Sequence, residues 1–503
     1  MAMAMKRRVF LPSKQLLPRF ITSSTASSSS SSSSPPAAAE LPQTGRSCAP
    51  PVTGERALDL HDTEKLFAST PSGALLRSLV NLKIMAWEPV VDLRSAAARA
   101  VVVAALKATA YRHFCAGENV EEACKTLQGL WDDGLQGILD YGMEDAEDNA
   151  GCDANLAEFL KTVEMTSRLP ISSVSFACVK ITAICPVSLL ERVSDLLRWE
   201  QKDPAAAAPW RRHQFPVLCD ASPLYHTPSV PAPLTPAEER DLEQAHRRLA
   251  ELCGRCADVN LPLLVDAEYT SVQPAIDYLA YDGAARFNRG PTPIVYTTVQ
   301  AYLKDSKERL AMATAAAEKE GITMGFKLVR GAYMTREVKL ATSLGVAPPI
   351  HRSIQETHRC YNTCALFMLE KAAHGGAAVV LATHNSRKVA AAKVDELRMG
   401  RGNERVQFAQ LKGMAEGLSL GLRNAGFNVS KYLAFGQVDK VIPYLLRRAE
   451  ENRGLLSASS MDRDLIWKEL KRRLTDAVLE MIVLSLFLSL SILNVKSPTG
   501  PGP

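Results

Sequence analysis

The sequence predicts an α/β fold, a (β/α)8 barrel with an N-terminal helical arm, and three observations carry that prediction. Eight short apolar or β-branched runs follow one another along the chain, each leading into a stretch with helical period. Each run begins apolar and turns polar at its C-terminal end, where barrels of this kind place their chemistry. No G-x-G-x-x-G stands in the first strand-to-helix turn, where a doubly wound open sheet, the alternative architecture, is expected to show its phosphate fingerprint.

With 47% hydrophobic and 22% charged residues, the 503-residue chain has an ordinary globular composition, long enough for one large barrel with extensions or about two to four domains. The formal charge of +5 is uneven: Lys6, Arg7, Arg8, Lys14 and Arg19 precede every acidic residue, so 5 minus 5 leaves the remainder neutral. A neutral body gives no electrostatic ground for binding nucleic acid. Residues 1–39 combine those cations with interspersed apolar residues and a serine tract from Ser27 to Ser34, the composition of an organellar transit peptide. A secretory signal needs a continuous apolar core, which is missing, and composition alone leaves mitochondrion and plastid both open. The cysteines number eleven without paired spacing, which predicts free thiols in a reducing compartment. Cys253 and Cys256 form a CxxC with no second ligand pair to complete a zinc site, so no metal is expected. The chain contains no Gly-Lys dipeptide, which excludes a Walker A loop.

Taken in order, residues 40–136 read as a helical arm or cap outside the main core, with helical periods at Thr70–Met85, Ser95–Phe114 and Glu118–Trp131. Residues 137–456 hold the barrel. Its strands are expected at Gly137–Glu144, Val174–Thr182, Leu261–Glu268, Pro293–Gln300, Gly325–Tyr333, Ala378–Asn385, Val406–Met414 and Lys431–Gly436. Their polar ends are Tyr141 and Glu144; Lys180 and Thr182; Asp266 and Glu268; Gln300 and Tyr302; Lys327, Arg330 and Tyr333; Thr383, His384 and Asn385; Gln410 and Lys412; and Tyr432. A Pro- and Ala-rich insert, Lys202–Pro236, is expected to project as a loop or lid on the same face.

The barrel closes with Tyr444–Asn452, YLLRRAEEN. On a helix Arg447 and Glu451 are four apart and Arg448 and Glu451 three apart, so one carboxylate can hold two guanidinium forks suited to a substrate carboxylate. A solvated charged face is the plainer reading of the same residues. Residues 457–503 follow as a charged helix, Asp462–Glu480, and the uncharged run Met481–Val495, shorter than the ~18 residues of a spanning helix. That run is open to three readings: an interfacial anchor, a buried last helix or an alternative C-terminus.

KLVRGAY (327–333), LATHN (381–385), VDAE (265–268), VQAY (299–302) and YLLRRAEEN, in these positions, resemble the proline dehydrogenase family, and the Ser-rich leader resembles that of plant mitochondrial members. The resemblance runs from about Asp140 to Gly454. It implies a distorted (β/α)8 barrel that binds FAD without a Rossmann domain and oxidises L-proline to 1-pyrroline-5-carboxylate. It further implies ubiquinone as electron acceptor, and a place on the matrix side of the mitochondrial inner membrane in peripheral contact with it. Carried over residue by residue, Arg447, Arg448 and Lys180 bind the substrate carboxylate, Glu451 braces the arginines, and Asp266 joins the same polar cluster. Tyr432, Leu411, Ala332 and Tyr333 pack the pyrrolidine ring. The FAD contacts fall on Gln300, Lys327, Arg330, Gly331, Ala332, Met334, Thr383, His384, Asn385 and Gln410, with Gly331 letting backbone approach the cofactor. Two positions depart from bacterial members: Lys327 stands for an arginine and Met334 for an aromatic residue. The rival readings are a Schiff-base barrel aldolase using Lys180 or Lys327, since strand-borne lysines also serve as nucleophiles, and a non-catalytic barrel.

Overall fold

All eight runs are strands. The computed structural model describes residues 60–85, 110–170, 172–206, 208–384, 387–454 and 456–494. The strands are β1 (Gln136–Tyr141), β2 (Val174–Val179), β3 (Leu263–Val265), β4 (Val295–Gln300), β5 (Met324–Val329), β6 (Ala377–Ala382), β7 (Val406–Leu411) and β8 (Val429–Phe435). They pair in sequence order, all parallel, and β8 returns to β1 to close the barrel. The expected runs for β1, β2, β3, β5, β6 and β7 extend further at their polar ends, because those residues have left the ladder and belong to the exits.

Side chains alternate along a strand, so register decides what fills the interior. Cys178 pairs with Asp140 on one side and Leu264 on the other, and Tyr432 pairs with Ile138 and Leu411. Ile138, Phe176, Cys178, Leu264, Tyr296, Val380 and Tyr432 form one buried interior cluster. Phe176 and Tyr296 meet edge to face, with centroids 5.0 Å apart. Small residues answer them: Ala378 and Ala409 line the same cluster, and a Cβ at Gly325 would run into the Tyr296 ring. Nearer the N-terminal mouth the filling is polar, with Gln407 Nε2 donating to Ser430 Oγ at 2.6 Å and Ser175 sharing a hydrogen bond of 2.6 Å with Ser430.

The outer layer contains α1 (Thr63–Leu66), α2 (Ser72–Met85), α3 (Val120–Asp132), α4 (Asn149–Thr166), α5 (Val187–Lys202), α6 (Pro236–Asp258) and α7 (Gln273–Phe287). It continues with α8 (Ser306–Glu320), α9 (Met334–Ser343), α10 (Ile354–Ala373), α11 (Arg387–Glu396), α12 (Glu416–Asn424), α13 (Ile442–Gly454) and α14 (Leu456–Asn494). Local chemistry sets several starts: Asp148 caps α4 through Gly151 N–H, Ser353 caps α10 through Glu356 N–H, and Thr235 with Glu238 forms a capping box on α6.

Two expectations change, and a third falls largely outside the described residues. α3 is no outlying arm, because Val120, Ala123, Cys124 and Leu127 pack on Leu139, Leu433 and Phe435 and cover the β8–β1 seam. The Ser95–Phe114 stretch lies outside the described residues except for its end, where Arg112–Phe114 form one helical turn. The Lys202–Pro236 insert joins α5 to α6 and is no lid: Phe215, Val217 and Leu218 are buried in the main core, His213 stacks on Tyr278 at 4.9 Å, and Ser222 donates to Asp305 at 2.7 Å. Its Leu224–His226 turn lies by the exit of β3, where His226 meets Thr270 Oγ1 at 2.9 Å. The cysteines among the described residues are all unpaired thiols, as expected.

The charged helix and the uncharged run prove to be one continuous helix, α14. Its Asp462 carboxylate accepts the Glu416 and Gly417 N–H groups at 3.2 Å each and so caps α12. Among the described residues no helix is long and apolar enough to cross a membrane.

The interior packing makes one prediction. Gly325→Ala must displace the Tyr296 ring, an overpacking expected to cost about 1–3 kcal/mol. Its denaturant midpoint should fall clearly below that of the parent in an equilibrium unfolding titration; an unchanged midpoint would show that Tyr296 moves freely.

Candidate functional site

The strand exits bring together four buried charges. Lys180, just after β2, donates to both oxygens of Asp140 on β1 at 3.1 Å each, and its Nζ lies 3.6 Å from Asp266 after β3. Lys327 on β5 donates to the other Asp266 oxygen, and Tyr432 on β8 donates to Asp266 at 2.7 Å. Asp140 is wholly buried, and the Lys327 ammonium stands 5.1 Å above the Tyr432 ring. The cluster balances formally, two carboxyl groups against two ammonium groups, with burial raising the Asp140 pKa against the pull of Lys180. Burial alone would raise the Asp266 pKa, yet Lys327 and Lys180 hold it well below the usual carboxylate range. Burial would likewise strip the proton from Lys180, but Asp140 and Asp266 push its pKa well above the ordinary lysine value. Lys327 moves the same way, Asp266 outweighing burial. Asp140, Cys178 and Asp266 are a trio of metal-ligand type among the described residues. Ammonium groups already occupy its carboxylates.

The arginines of α13 stand beside this cluster. Arg447 makes a two-pronged contact with Glu144, each N–H to its own oxygen at 2.9 Å. Glu144 lies in the field of Arg447, Lys180 and Arg448 together; burial would raise its pKa, and these cations lower it. Arg447 sits 5.1 Å above the Tyr333 ring, and the buried Arg448 4.7 Å above the Tyr444 ring. The described brace of Arg447 is therefore Glu144, 303 residues away in sequence. Glu451 belongs to α13, but its side chain lies outside those described.

The exits of β4 to β7 carry a different set. Gln300 donates to the Glu268 carbonyl at 2.7 Å, and Gln410 donates to the Thr383 carbonyl at 3.5 Å while accepting from Ser419 at 2.9 Å. The Arg330 guanidinium lies 5.8 Å from the Tyr361 ring centroid. Thr383 is buried and His384 half-buried beyond β6, Ala332 is half-buried beyond β5, and Asn385 lies outside the described residues. Lys327, Arg330, Gln300, Gln410 and Thr383 make this edge rich in donors, and that chemistry fits a cofactor bearing phosphates and ring carbonyls. Two residues fit less directly. Met334 is 56% exposed at the first position of α9. Gly331 has φ +134°, and a Cβ there would run into the Tyr302 ring, so that ring is what demands the glycine.

Four residues at the site were not assigned a role from sequence. Asp140 sits inside an apolar run and reads as strand interior, and Tyr444 reads as a core aromatic. Glu144 was noticed as a polar end, but its partner is on the far side of the chain. Glu268, only 1% exposed, accepts both the Thr182 N–H (3.2 Å) and the Thr182 hydroxyl (2.8 Å). Burial pushes its pKa up to about 8, the Thr182 hydrogen bonds opposing.

Residues 123–461 match the family model described as proline dehydrogenase. The chain is 52% identical over 431 residues to proline dehydrogenase 2, mitochondrial, of Arabidopsis thaliana, covering 83% of this chain and 90% of that one. To proline dehydrogenase 1, mitochondrial, of the same organism it is 51% identical over 432 residues, covering 83% and 87%. Against hydroxyproline dehydrogenase of Homo sapiens identity falls to 32%, with 80% and 91% covered. Among solved structures, proline utilization A from Bdellovibrio bacteriovorus superposes with a TM-score of 0.56 at 18% identity, over 78% of this chain and 39% of that one, a likeness of fold.

Glu268 gives a pH prediction. Its folded pKa of about 8 stands above the ordinary 4.5, so between those values the unfolded chain has released a proton that the folded one keeps. This group's contribution to stability therefore falls as pH rises from about 4.5 to 8. Glu268→Gln imitates the protonated acid and should flatten that decline, raising the melting temperature relative to the parent at pH 8 more than at pH 5. Parallel stability curves for the two proteins would show that Glu268 is ionised in the fold.

Proposed function

The chain belongs to the proline dehydrogenase family and oxidises proline, and from that premise we propose that it converts L-proline to 1-pyrroline-5-carboxylate with FAD as cofactor. We propose further that the electrons pass to ubiquinone and that the protein works in mitochondria, on the matrix side of the inner membrane. The basic, acid-free segment of residues 1–39 supports the organelle, read as a transit peptide. The observation that carries the active-site reading is the two-pronged contact of Arg447 with Glu144, a carboxylate that also lies in the field of Lys180 and Arg448. A pocket that stabilises that carboxylate has the charge and donors to receive a second one from proline.

In this reading Arg447 and Arg448 hold the substrate carboxylate with planar forks, and Lys180, kept protonated by Asp140 and Asp266, adds a point charge. Fixing the carboxylate leaves the ring carbon on the other side of the nitrogen, the one that becomes doubly bonded in the product, free to face the β4–β7 exits. Tyr432, Leu411, Ala332 and Tyr333 supply the wall for the ring. Tyr432 keeps its proton, since burial and the neighbouring carboxylates push its pKa well up, and that proton is donated to Asp266. FAD, when bound, accepts the hydride; Gln300, Lys327, Arg330, Gly331, Ala332, Thr383, His384 and Gln410 would hold it, with Met334 and Asn385 expected at its margin. The Schiff-base reading loses support here. A nucleophilic lysine needs a depressed pKa, and Lys180 and Lys327 are both pushed the other way.

Two predictions test the assignment. Arg448→Met should raise the KM for proline about 10- to 150-fold, the equivalent of a charged hydrogen bond of roughly 1.5–3 kcal/mol, with flavin content near normal. Pyrrolidine, which has the ring and no carboxylate, should lose little in the same variant. Equal losses on both substrates would mean that the arginine supports the fold or the cofactor instead. Lys327→Met should lower the flavin-to-protein ratio or slow flavin reduction in stopped flow by ~10²-fold, because it removes a fixed cation beside developing negative charge. Full flavin content with an unchanged reductive rate would place this lysine outside the flavin site.

A further inference from the structure

The end of α14 leaves the body of the protein as an exposed apolar rod. Up to Arg473 the helix is held: Leu465, Ile466 and Glu469 are buried, and Arg473 donates to the Phe67 and Thr70 carbonyls at 2.8 Å each. Beyond it every residue from Leu474 to Ser485 is exposed, more than three successive turns. Glu480 is the last charged residue before an uncharged run to Val495. Met481, Ile482, Val483 and Leu484 are 71%, 50%, 50% and 64% exposed. Four consecutive residues of a helix cover its whole circumference, so this turn beyond Glu480 is apolar on every side. The family match ends at residue 461, short of the rod.

We propose that Met481–Asn494 is a membrane foot that buries in one leaflet of a lipid bilayer. A helix that is apolar all round needs an apolar medium all round. A second copy of the chain would cover one stripe and leave the rest in water, whereas lipid covers the full circumference. Backbone groups within a helix are satisfied internally apart from the carbonyls of its last turn, so the segment enters hydrocarbon with its N–H groups and all but its final C=O groups paired. Length selects one leaflet: at 1.5 Å per residue the uncharged turns reach roughly 20 Å, against a hydrocarbon core of ~30 Å. With no charge in the segment, apolar burial is the driving force and anionic lipid is not required. The proposal names the segment that makes the inner-membrane contact put forward above, and it rests on that reading only for which membrane is meant.

The test is flotation of the full-length flavin-loaded protein with vesicles of phosphatidylcholine alone and of phosphatidylcholine with phosphatidylglycerol. The protein should float with both, to within about twofold. The double variant Ile482→Asp, Leu484→Asp should lower the bound fraction at least tenfold, since aspartate is strongly disfavoured in hydrocarbon, with unchanged flavin content and dye-linked proline oxidation. Protein that stays at the bottom of both gradients overturns the proposal, as does binding only to anionic vesicles, which would locate a charged surface elsewhere. A concentration-dependent dimer in lipid-free buffer that the same substitutions disperse, without vesicle binding, would assign the rod to a second copy. Failure of the foot with proline oxidation intact leaves the catalytic reading standing.

Discussion

Two carboxylates and two ammonium groups share the largely buried upper interior of the barrel, and the site depends on their mutual balance. Removing one partner from such a set strands a buried charge, at a cost of about 3–5 kcal/mol. The four come from different strands: Asp140 from β1, Lys180 from the end of β2, Asp266 from beyond β3 and Lys327 from β5. Their geometry is therefore a statement about register. Asp140 lies opposite Cys178, so Lys180, two residues further, projects from the same face just above it. A slip of one residue would turn Asp140 outward into the helix layer and leave Lys180 without its two-pronged acceptor.

The same cluster divides the exit face. β1, β2, β3 and the helix after β8 contribute carboxylates, Lys180 and the arginines, a set suited to a small zwitterion. β4 to β7 contribute amides, Arg330 and Thr383, a set of donors. Lys327 and Asp266 join the halves, since the lysine rises from the donor side, lies over the Tyr432 ring and pairs with the carboxylate of the other side. Below them Phe176 and Tyr296 fill the interior against Gly325, Ala378 and Ala409. That apolar floor lowers the local dielectric and strengthens every pair above it.

What sequence could reveal follows from the range of each interaction. The eight strands, their order and their polar exits were legible because period and the apolar-to-polar change are local properties. Most residues expected at the site are at the exits. The partners were hidden because pairing across the barrel leaves no local trace: Glu144 holds Arg447 from the far end of the chain, whereas helical spacing pointed to Glu451. Asp140 was concealed by the very burial that makes it matter, standing in an apolar run like any strand residue. α3 was read as an arm since its apolar stripe shows only that it packs, and the surface it covers is formed by β1 and β8 together. The insert was read as a lid because Pro and Ala suggest a loop, while Phe215, Val217 and Leu218 inside it supply the apolar area that seals it to the helices.

One connection links the outermost helix to the innermost polar residues. Asp462 of α14, the first residue beyond the family match, closes the N-terminus of α12. The same helix carries Ser419, which donates to Gln410 and accepts from the fully buried Lys431 at 3.0 Å. Lys431 is held in turn by the Met414 carbonyl at 2.8 Å and by Glu416 at 3.1 Å. With its oxygen accepting from Ser419, the Gln410 amide must turn its N–H groups toward the exit of β6, the direction in which a cofactor carbonyl or phosphate would need them. The helix that ends in the exposed rod is thus also part of the support for a donor of the candidate cofactor edge, and its base cannot shift without disturbing the first turn of α12.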